Sequence, residues 1–384
     1  MANTLTGLIP TLYEALDVVS REMVGYIPAV TRNASAARAA KGQKILVPIV
    51  PAATAADSTP AVTAPNTGDQ TIGNVEIEIT KSRHVPVRWE GEEEHGLRGA
   101  GTYDSIFRDR IAQAMRTLVN EIEVDLHAAA YQGASRATGT AGTAPFNTAD
   151  NLSDAAALRQ ILDDNGAPVD GRRLVLGSAA VNNLYSKQAI LLKANENASA
   201  AFRRTGSISE VPLNGFALYN SAAVKPVTKG TGASYVTSGS TAVGVSDVAL
   251  VTGTGTVNPG DIVTFAADTA NKYVVNKGVA APGTITLGSP GARMVIPTAN
   301  ALTVGGNYTP NVAFHSSAIQ LVARAPHMPS GGDMGDDSVI VTDTVSGLSF
   351  EVAVYRQFMQ VVYHVRIAWG CAAIKPDHIA TLAG

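Results

Sequence analysis

The sequence predicts an α+β fold into which an all-β domain is inserted. A pattern of apolar residues without proline or glycine runs over residues 102–132 and indicates one long helix. Short alternating runs, separated by glycine and proline turns, fill residues 223–307 and indicate a small β-barrel or sandwich. Mixed helix and strand patterns on both sides of residues 223–307 indicate that this β unit is an insertion.

The composition is that of a globular protein of 384 residues with few charges. Charged residues make up 16% of the chain and the net charge is −3, so neither a disordered chain nor an avid electrostatic binder of nucleic acid is indicated. The single cysteine, Cys371, excludes an intrachain disulfide, and its apolar surroundings predict a buried structural thiol. The sequence shows no secretory leader and no apolar run of about 18 residues. We therefore expect a protein made and kept in the cytoplasm.

A short amphipathic helix and an arm open the chain. Pro10, Leu12, Leu16 and Val19 predict a helix over residues 9–24. Residues 31–42 are small and polar, with basic but no acidic side chains, which is typical of an extended arm. The sequence leaves open whether this arm is a surface linker or reaches a neighbouring subunit.

A long two-stranded hairpin is predicted over residues 44–89. Residues 44–50 and 70–88 are rich in β-formers, and in the second run Ile77 alternates with Glu76 and Glu78. Residues 51–70 contain almost no large side chain, so they form a tip without a core. Because a lone hairpin is marginal in water, this one needs another surface, such as the next subunit.

The long helix has clear end signals. Thr102 is a candidate N-cap, Asp104 lies in the positive first turn, and Gly133 stands where the helix should end. At 1.5 Å per residue such a helix is about 45 Å long. We expect its apolar face to pack on strands within residues 338–369. That face consists of Phe107, Ile111, Met115, Leu118, Ile122 and Leu126.

Two acidic segments can be interpreted either as sites or as plain turns. Residues 90–96 and 333–337 each place several carboxylates beside glycine, so each has groups that bind cations or transfer protons. Neither has the fixed ligand spacing that a metal site needs. We favour solvated acidic turns, the first of them pairing with arginines of a neighbour.

Residues 150–222 are α/β in character. The pattern predicts a helix over 153–162 capped by Ser153, a buried strand over 174–176 and a second helix over 179–185. Asn165 and Gly166 superficially resemble part of a calcium loop. The twelfth position of that alignment is Arg172, where a carboxylate is required, so we reject a calcium site.

The rest of the chain is predicted to be mostly β. Within the insertion, strands are predicted over residues 245–251, 261–265, 272–275, 284–287 and 293–296. The chain then returns to mixed structure, with a short helix over 316–322 and strands over 338–342, 349–355 and 358–369.

No catalytic, cofactor-binding or metal site is predicted, and no cofactor is implied. The sequence contains no phosphate-binding loop, no Gly-x-Ser-x-Gly, no His-Glu-x-x-His and no paired Cys-x-x-Cys. Gly253 and Gly255 lack the third glycine of a dinucleotide fingerprint. The seven histidines are scattered, one to an element. We therefore do not expect an enzyme.

Three segments and the order of the elements resemble a known family. The segments are residues 1–22, residues 42–48 (Gly-Gln-Lys-Ile-Leu-Val-Pro) and residues 314–319 (Phe-His-Ser-Ser-Ala-Ile). Together with the element order over the whole chain, they resemble the tailed-phage major capsid proteins of the HK97-like fold, and most closely the P22-type coat proteins.

The resemblance implies a domain plan. Residues 1–43 would be the N-terminal helix and arm, 44–89 the E-loop hairpin, 90–133 the peripheral domain with its spine helix, 134–222 the first part of the axial domain, 223–307 an inserted β-barrel facing outward, and 308–384 a return to the axial and peripheral domains.

The resemblance also implies partners and a location. It implies hexamers and pentamers of this chain that form an icosahedral shell around packaged double-stranded DNA. It further implies a separate scaffolding protein, a portal, no membrane partner, assembly in the bacterial host cytoplasm and a place in the virion capsid. We carry over no covalent crosslink.

Two other interpretations stay open at this point. An encapsulin-like cellular shell would have the same fold and differ in its cargo. A β-rich phage decoration or tail protein is the other alternative, but the long helix and the α/β middle argue against it.

Overall fold

The computed structural model describes most of the chain. Described are residues 9–20, 24–34, 37–49, 53, 55, 57–60, 62–63, 69, 71–99, 101–148, 151–186, 212–343 and 347–384. The opening residues 1–8, most of the expected hairpin tip and residues 187–211 of the expected axial domain lie outside these ranges.

The elements alternate between helices and strands in the first half of the chain and are mostly strands in the second. The helices in the described ranges are α1 Ile9–Ser20, α2 Tyr26–Ala29, α3 Gly91–Gly99, α4 Tyr103–Gln132, α5 Ser153–Asp164 and α6 Ser178–Ser186. The first strands are β1 Thr31–Ala34, β2 Lys44–Ile49, β3 Gly73–Glu78, β4 Lys81–Glu90, β5 Arg136–Gly139, β6 Arg172–Leu176 and β7 Ala217–Asn220. They are followed by β8 Val236–Thr237, β9 Asp247–Val251, β10 Ile262–Phe265, β11 Asp268–Lys277, β12 Gly283–Leu287 and β13 Leu302–Val304. The last are β14 Pro310–His315, β15 Ile319–Arg324, β16 Asp337–Thr342, β17 Ser349–Gln357, β18 Gln360–Ala373 and β19 Ile379–Ala383.

A six-stranded sheet and α4 form the largest core. In the described ranges its strands are ordered β1-β15-β18-β17-β16, and β4 also pairs with β18. The six apolar residues predicted for the inner face of α4 are all buried, and α4 contacts β18 and β4. The expected packing of this face is therefore confirmed for β18. α1 also contacts α4, and its Leu12, Ala15 and Leu16 belong to the same apolar core.

The hairpin predicted over residues 44–89 is shorter in the structure, because β4 does not belong to it. β2 and β3 pair antiparallel, with Ile45 opposite Ile77, and form a separate two-stranded sheet. Residues 81–90 instead pair along β18. They do so because Val87 and Trp89 can be buried against α4 there, whereas a two-stranded hairpin offers no such core.

The acidic segment after β4 is a helix, so the predicted turn over residues 90–96 is wrong. α3 has three glutamates in its first turn, where the helix dipole favours negative charge. Glu94 accepts a hydrogen bond from Arg98 one turn later, at 2.8 Å. No residue of α3 is buried, so the helix lies on the surface.

Other local predictions were also wrong. Residues 316–322 were predicted as a helix, but only Ser316–Ala318 form a 3₁₀ turn, and β15 begins at Ile319 because it pairs with both β1 and β18. Ser153 is the first residue of α5 rather than its cap. Leu152 is the N-cap residue and makes no side-chain cap bond; the Asn151 side chain, one residue earlier, accepts from the Ser153 backbone N–H at 2.7 Å. The strand predicted over residues 293–296 is only an isolated bridge between Ile296 and Thr241.

An eleven-stranded sheet in the described ranges holds the second core and the insertion. Its path is β7-β6-β14-β19-β5-β11-β12-β9-β8, and β10 and β13 pair off this path. α5 contacts β19 and β5, and together with α6 it covers a separate apolar cluster. β11 joins this region to the insertion by pairing with β5.

The strands of the insertion hydrogen bond in a closed ring. β8, β9, β12, β11, β10 and β13 pair in that order, and a bridge between Val236 and Ala301 closes the ring from β13 back to β8. The ring encloses its own apolar cluster. An antiparallel bridge between Val227 and Tyr308, which we call the neck, joins the two ends of the insertion.

Candidate functional site

A buried carboxylate on α4 connects three distant segments. Glu123 is 3% exposed. Its two oxygens accept from the backbone N–H groups of Tyr26 at 3.1 Å and Ile27 at 2.8 Å, at the start of α2. Its Oε2 also accepts from Ser221 Oγ at 2.9 Å, just after β7. Burial raises the pKa of Glu123, and these donors oppose that rise.

A buried histidine lies one turn further along α4. His127 Nδ1 is 2.9 Å from the Tyr26 hydroxyl, whose own pKa is raised by burial. Burial lowers the pKa of His127 to about 4, so the imidazole is neutral at pH 7. Tyr26 also stacks on Phe314 of β14, with ring centroids 6.2 Å apart. Glu123 and His127 therefore fix the N-terminal segment against both α4 and the eleven-stranded sheet.

An ion network holds the arm on the outer face of the six-stranded sheet. Glu351 of β17 is fully buried and accepts from Arg38 Nη2 at 2.5 Å and from Arg366 Nε at 2.8 Å. Arg366 also forms an ion pair with Asp333, with its Nη1 3.1 Å from Asp333 Oδ2. Since β1 also pairs with β15, the described arm residues lie along their own sheet.

A second carboxylate joins β4, β18 and α4. Asp125 accepts from Lys81 Nζ at 2.7 Å and from the Trp369 indole N–H at 2.8 Å. Burial raises the pKa of the nearby Cys371 thiol to about 12, so this thiol stays protonated and unreactive. Cys371 is half-buried, packed against the largest core, so it is less buried than the sequence predicted.

The acidic segments have partners within the chain. Glu90 pairs with Arg88, and Glu94 pairs with Arg98. Asp333 accepts from both the Tyr355 hydroxyl and Arg366, and the hydroxyl, with the arginine as a smaller cause, holds its pKa below the ordinary value. Within the described ranges no group of three or more His, Cys, Asp or Glu residues is placed to hold a metal ion.

The histidines are less scattered than the sequence suggested. His84 and His364 lie on paired strands with ring centroids 5.0 Å apart. His315 and His378 approach to 6.2 Å where the two sheets join. Burial is the main cause that lowers the pKa of His364, His315 and His378. The other ring of this pair is held locally, because His315 Nδ1 forms a hydrogen bond with the Ser317 hydroxyl at 2.8 Å.

The β2–β3 hairpin has one apolar side and little core of its own. Ile77 and Ile79 at its base are buried against Val322 and Ala368, with further apolar hairpin residues partly buried beside them. Leu46 and Ile72 are 57% and 58% exposed. Leu46 lies on the opposite side of the hairpin, paired with Glu76, so the hairpin presents single apolar side chains that its own subunit does not cover.

Sequence reasoning missed Glu123 and Glu351. Glu123 lies directly after Ile122 on the apolar side of a helix, and Glu351 lies between apolar residues of a strand. A carboxylate in a buried stripe is itself a signal, because such a charge needs a partner. Its partners were not predictable, since Tyr26 and Ser221 are 97 and 98 residues away from Glu123.

Among the helices in the described ranges, none is both long enough and apolar enough to cross a membrane.

Comparison with known proteins identifies the family. The family model described as P22 coat protein, gene protein 5, matches residues 10–274. No curated protein matches the chain. A solved chain from Mycobacterium phage Che8 is 13% identical with a TM-score of 0.45, and the match covers 89% of this chain and 85% of that chain. The mature capsid of bacteriophage PhiM1 is 11% identical with a TM-score of 0.43, covering 93% and 85%.

A virus-like particle from Pyrococcus furiosus is 11% identical with a TM-score of 0.43, covering 98% of this chain and 99% of that chain. Because the family model spans more than half of the sequence, we assign the family from that match alone. The chain belongs to the P22 coat protein family and is a structural major capsid protein of a tailed phage, of HK97-like type, located in the virion capsid.

Proposed function

We propose that this capsid protein forms hexamers and pentamers of an icosahedral shell that encloses packaged double-stranded DNA. The net charge of −3 supports an enclosure that makes no avid or sequence-specific contact with that DNA. The family also suggests a separate scaffolding protein, a portal, assembly in the bacterial host cytoplasm and no enzymatic activity.

The observation that carries this proposal is the pair of exposed apolar side chains of the β2–β3 hairpin, Leu46 and Ile72, of which Leu46 lies on the otherwise polar side beside Glu76. A two-stranded hairpin is marginally stable in water unless it packs against something else. Here the base is anchored by Ile77 and Ile79, while Leu46 and Ile72 remain more than half exposed. In the shell, this hairpin lies over an adjacent subunit, which covers those side chains. Many such contacts, each weak, hold a subunit through multivalency.

The remaining parts fit roles in the same shell. α4 serves as the spine of the peripheral domain, residues 134–222 and part of residues 308–384 surround the hexamer and pentamer centres, and the closed ring within residues 223–307 faces outward. The buried contacts of Glu123, His127 and Glu351 support these roles because they keep the arm, spine and sheets together as one subunit.

Negative-stain microscopy of the purified protein tests the proposal. We expect shells or rings from the wild-type chain. The double variant Leu46→Ser, Ile72→Ser should keep the circular dichroism spectrum and melting temperature of the wild type, because both side chains are exposed, but should lose shells. The matched control is Val243→Ser, which is also 58% exposed but lies in the insertion, away from the hairpin. A small discrete oligomer under all conditions, or normal shells from the double variant, would contradict the proposal.

A further inference from the structure

Two histidines from distant parts of the sequence lie side by side on the outer face of the six-stranded sheet. His84 of β4 is paired with Arg366 of β18. His364, two residues before that arginine, is paired with Pro86. Residues two apart on a strand share a face, so both imidazoles lie on the face opposite to Trp89, which belongs to the core under α4. The sequence could not indicate this pair, because it exists only through the pairing of β4 with β18.

The separation of the two rings suits a shared metal ion. The ring centroids of His84 and His364 are 5.0 Å apart, and the ring planes are inclined at 41°. Two imidazoles on one tetrahedral ion have ring centres about 5 Å apart, because each ligating nitrogen lies about 2 Å from the ion. Imidazole nitrogen is a favoured ligand of Zn²⁺, Cu²⁺ and Ni²⁺. The two rings are therefore already placed at the spacing that such an ion requires.

The nitrogens of these two rings are available to a ligand. His84 is exposed and His364 is half-buried. Among the described residues, neither imidazole has a hydrogen-bond or ion-pair partner. The other close pair is different, because its rings are 6.2 Å apart and His315 Nδ1 already bonds the Ser317 hydroxyl. Only the pair on β4 and β18 therefore combines close rings with open nitrogens in the described part of the chain.

Neighbouring side chains hold one of the rings and offset the nearby positive charge. The Tyr355 ring packs edge-on against His364, with centroids 5.0 Å apart and planes at 80°. The Tyr355 hydroxyl donates to Asp333 and accepts from Arg366 at 3.0 Å, so this tyrosine is itself fixed. Arg366 lies on the same face and would repel a cation, but it is paired with both Glu351 and Asp333. The surroundings therefore orient the ligand without opposing a bound cation strongly.

We propose that His84 and His364 together bind one divalent transition-metal ion of the Zn²⁺ type, which ties β4 to β18. No third His, Cys, Asp or Glu of the described ranges joins them, so water completes the coordination. β4 pairs with β18 alone among the described strands and is thus an edge strand, with backbone hydrogen bonds on one side only. The ion gives this strand a second link to the sheet. The inference does not depend on the proposed function, because both ligands belong to one subunit.

Calorimetric titration of the unassembled subunit with ZnCl₂ at pH 7.5 tests the site. At this pH most imidazoles are neutral and can bind a metal. We expect the wild type to bind one Zn²⁺ ion and to bind no Mg²⁺ at the same concentration, because Mg²⁺ prefers oxygen ligands. His84→Ala should fold normally, because this side chain is exposed, and should weaken Zn²⁺ binding roughly tenfold or more. His364→Ala should cause the same loss of affinity.

Two matched variants and a melting experiment complete the test. His95→Ala removes an exposed single histidine of α3, and His378→Ala breaks the other close pair, so both should keep the wild-type affinity for Zn²⁺. Zn²⁺ should raise the melting temperature of the wild type, because it binds the folded chain, and should leave that of His84→Ala unchanged. Absence of saturable Zn²⁺ binding by the wild type, or equal affinity in the wild type and His84→Ala, would overturn the proposal.

Discussion

Individual carboxylates connect parts of this subunit that are far apart in sequence. Glu351 accepts hydrogen bonds from Arg38 of the arm and from Arg366 of the neighbouring strand. Glu123 accepts hydrogen bonds from two backbone N–H groups and a serine hydroxyl. A buried carboxylate is unfavourable unless its oxygens are satisfied, so each one also enforces the position of its donors. The arrangement of arm, spine and sheet therefore depends on a few polar contacts inside apolar surroundings.

The arm contact gives a residue-scale prediction. Arg38→Met should lower the free energy of unfolding by about 2 kcal/mol, because Glu351 loses one of its two charged donors while fully buried. Urea denaturation of the unassembled subunit measures the change. The control is Arg83→Met. Arg83 Nε lies 3.5 Å from Glu121 Oε2, and the two side chains are 58% and 40% exposed. Loss of so exposed an ion pair should lower the free energy of unfolding by at most about 1 kcal/mol. Equal losses in both variants would contradict the buried network.

His127 gives a prediction for pH dependence. Its pKa in the folded chain is lowered from the ordinary 6.5 to about 4, so between these values the unfolded chain binds the proton and the folded chain does not. Stability is therefore fully present above about pH 6.5 and falls by about 3 kcal/mol as the pH drops to about 4.

The His127→Gln variant isolates this contribution. Glutamine can still bond the Tyr26 hydroxyl but does not titrate, so the variant should lose that part of the slope of unfolding free energy between pH 7 and pH 4.5. Denaturant titrations at four pH values measure it. His95→Gln, on the exposed helix α3, should keep the wild-type slope. If His127→Gln kept it as well, burial of the imidazole would not be its cause.

At the scale of elements, α4 contacts three other helices of the described ranges and strands of both large sheets. It contacts β18, β4 and α1, and its buried carboxylate and histidine hold α2. A charge placed in the middle of the apolar side of α4 has no counter-ion and disrupts the largest core.

Substitutions on α4 test its orientation. Ile111→Asp or Leu118→Asp should destabilise the subunit by about 4 kcal/mol or more, because each buries an unpaired carboxylate at a position at most 1% exposed. Soluble yield, circular dichroism and shell counts measure the outcome. Gln113→Asp, on the exposed side of the same helix, should assemble normally. Normal shells with either core variant would show that the apolar face is wrongly assigned.

Sequence patterns predicted some elements well for physical reasons that are local. The helical periodicity of α4 continues for thirty residues, so its type and ends were clear. Residues 316–322 were mistaken for a helix because so short an apolar run fits either structure, and only pairing with β1 and β18 decides it. α3 was mistaken for a turn because adjacent glutamates suggest solvent, whereas the helix dipole stabilises them.

For the whole molecule, the inserted ring is part of the subunit rather than an appendage. β11 belongs both to the ring and to the sheet that contains β5. Gly260, with φ = +89°, lies so close to Tyr131 of α4 that a Cβ would be 2.3 Å from the tyrosine ring. The ring therefore supports β5 of the eleven-stranded sheet and the end of α4.

Removing the ring tests this support. A chain in which a short linker replaces residues 226–305 should express poorly and fail to assemble, because the edge of β5 and the end of α4 become exposed. The matched control is Gly260→Ala alone, which should weaken the ring contact with α4 and lower the melting temperature without removing the domain. A shortened chain that folds and assembles like the wild type would show that the ring only decorates the subunit.

The neck also sets an order for folding. β6 pairs with β14, with Val175 opposite Val312, and the whole insertion lies between these strands in sequence. If the insertion folds first, the bridge between Val227 and Tyr308 brings its ends together and shortens the loop that β6 and β14 must close. The shorter loop lowers the entropic cost of pairing β6 with β14 by less than ~1 kcal/mol. This small gain still matters for the folding rate, because pairing between strands far apart in sequence is the slow part of folding. We therefore expect the insertion to act as a folding nucleus for the central sheet, so that slowing its formation delays the appearance of subunits competent to join a growing shell.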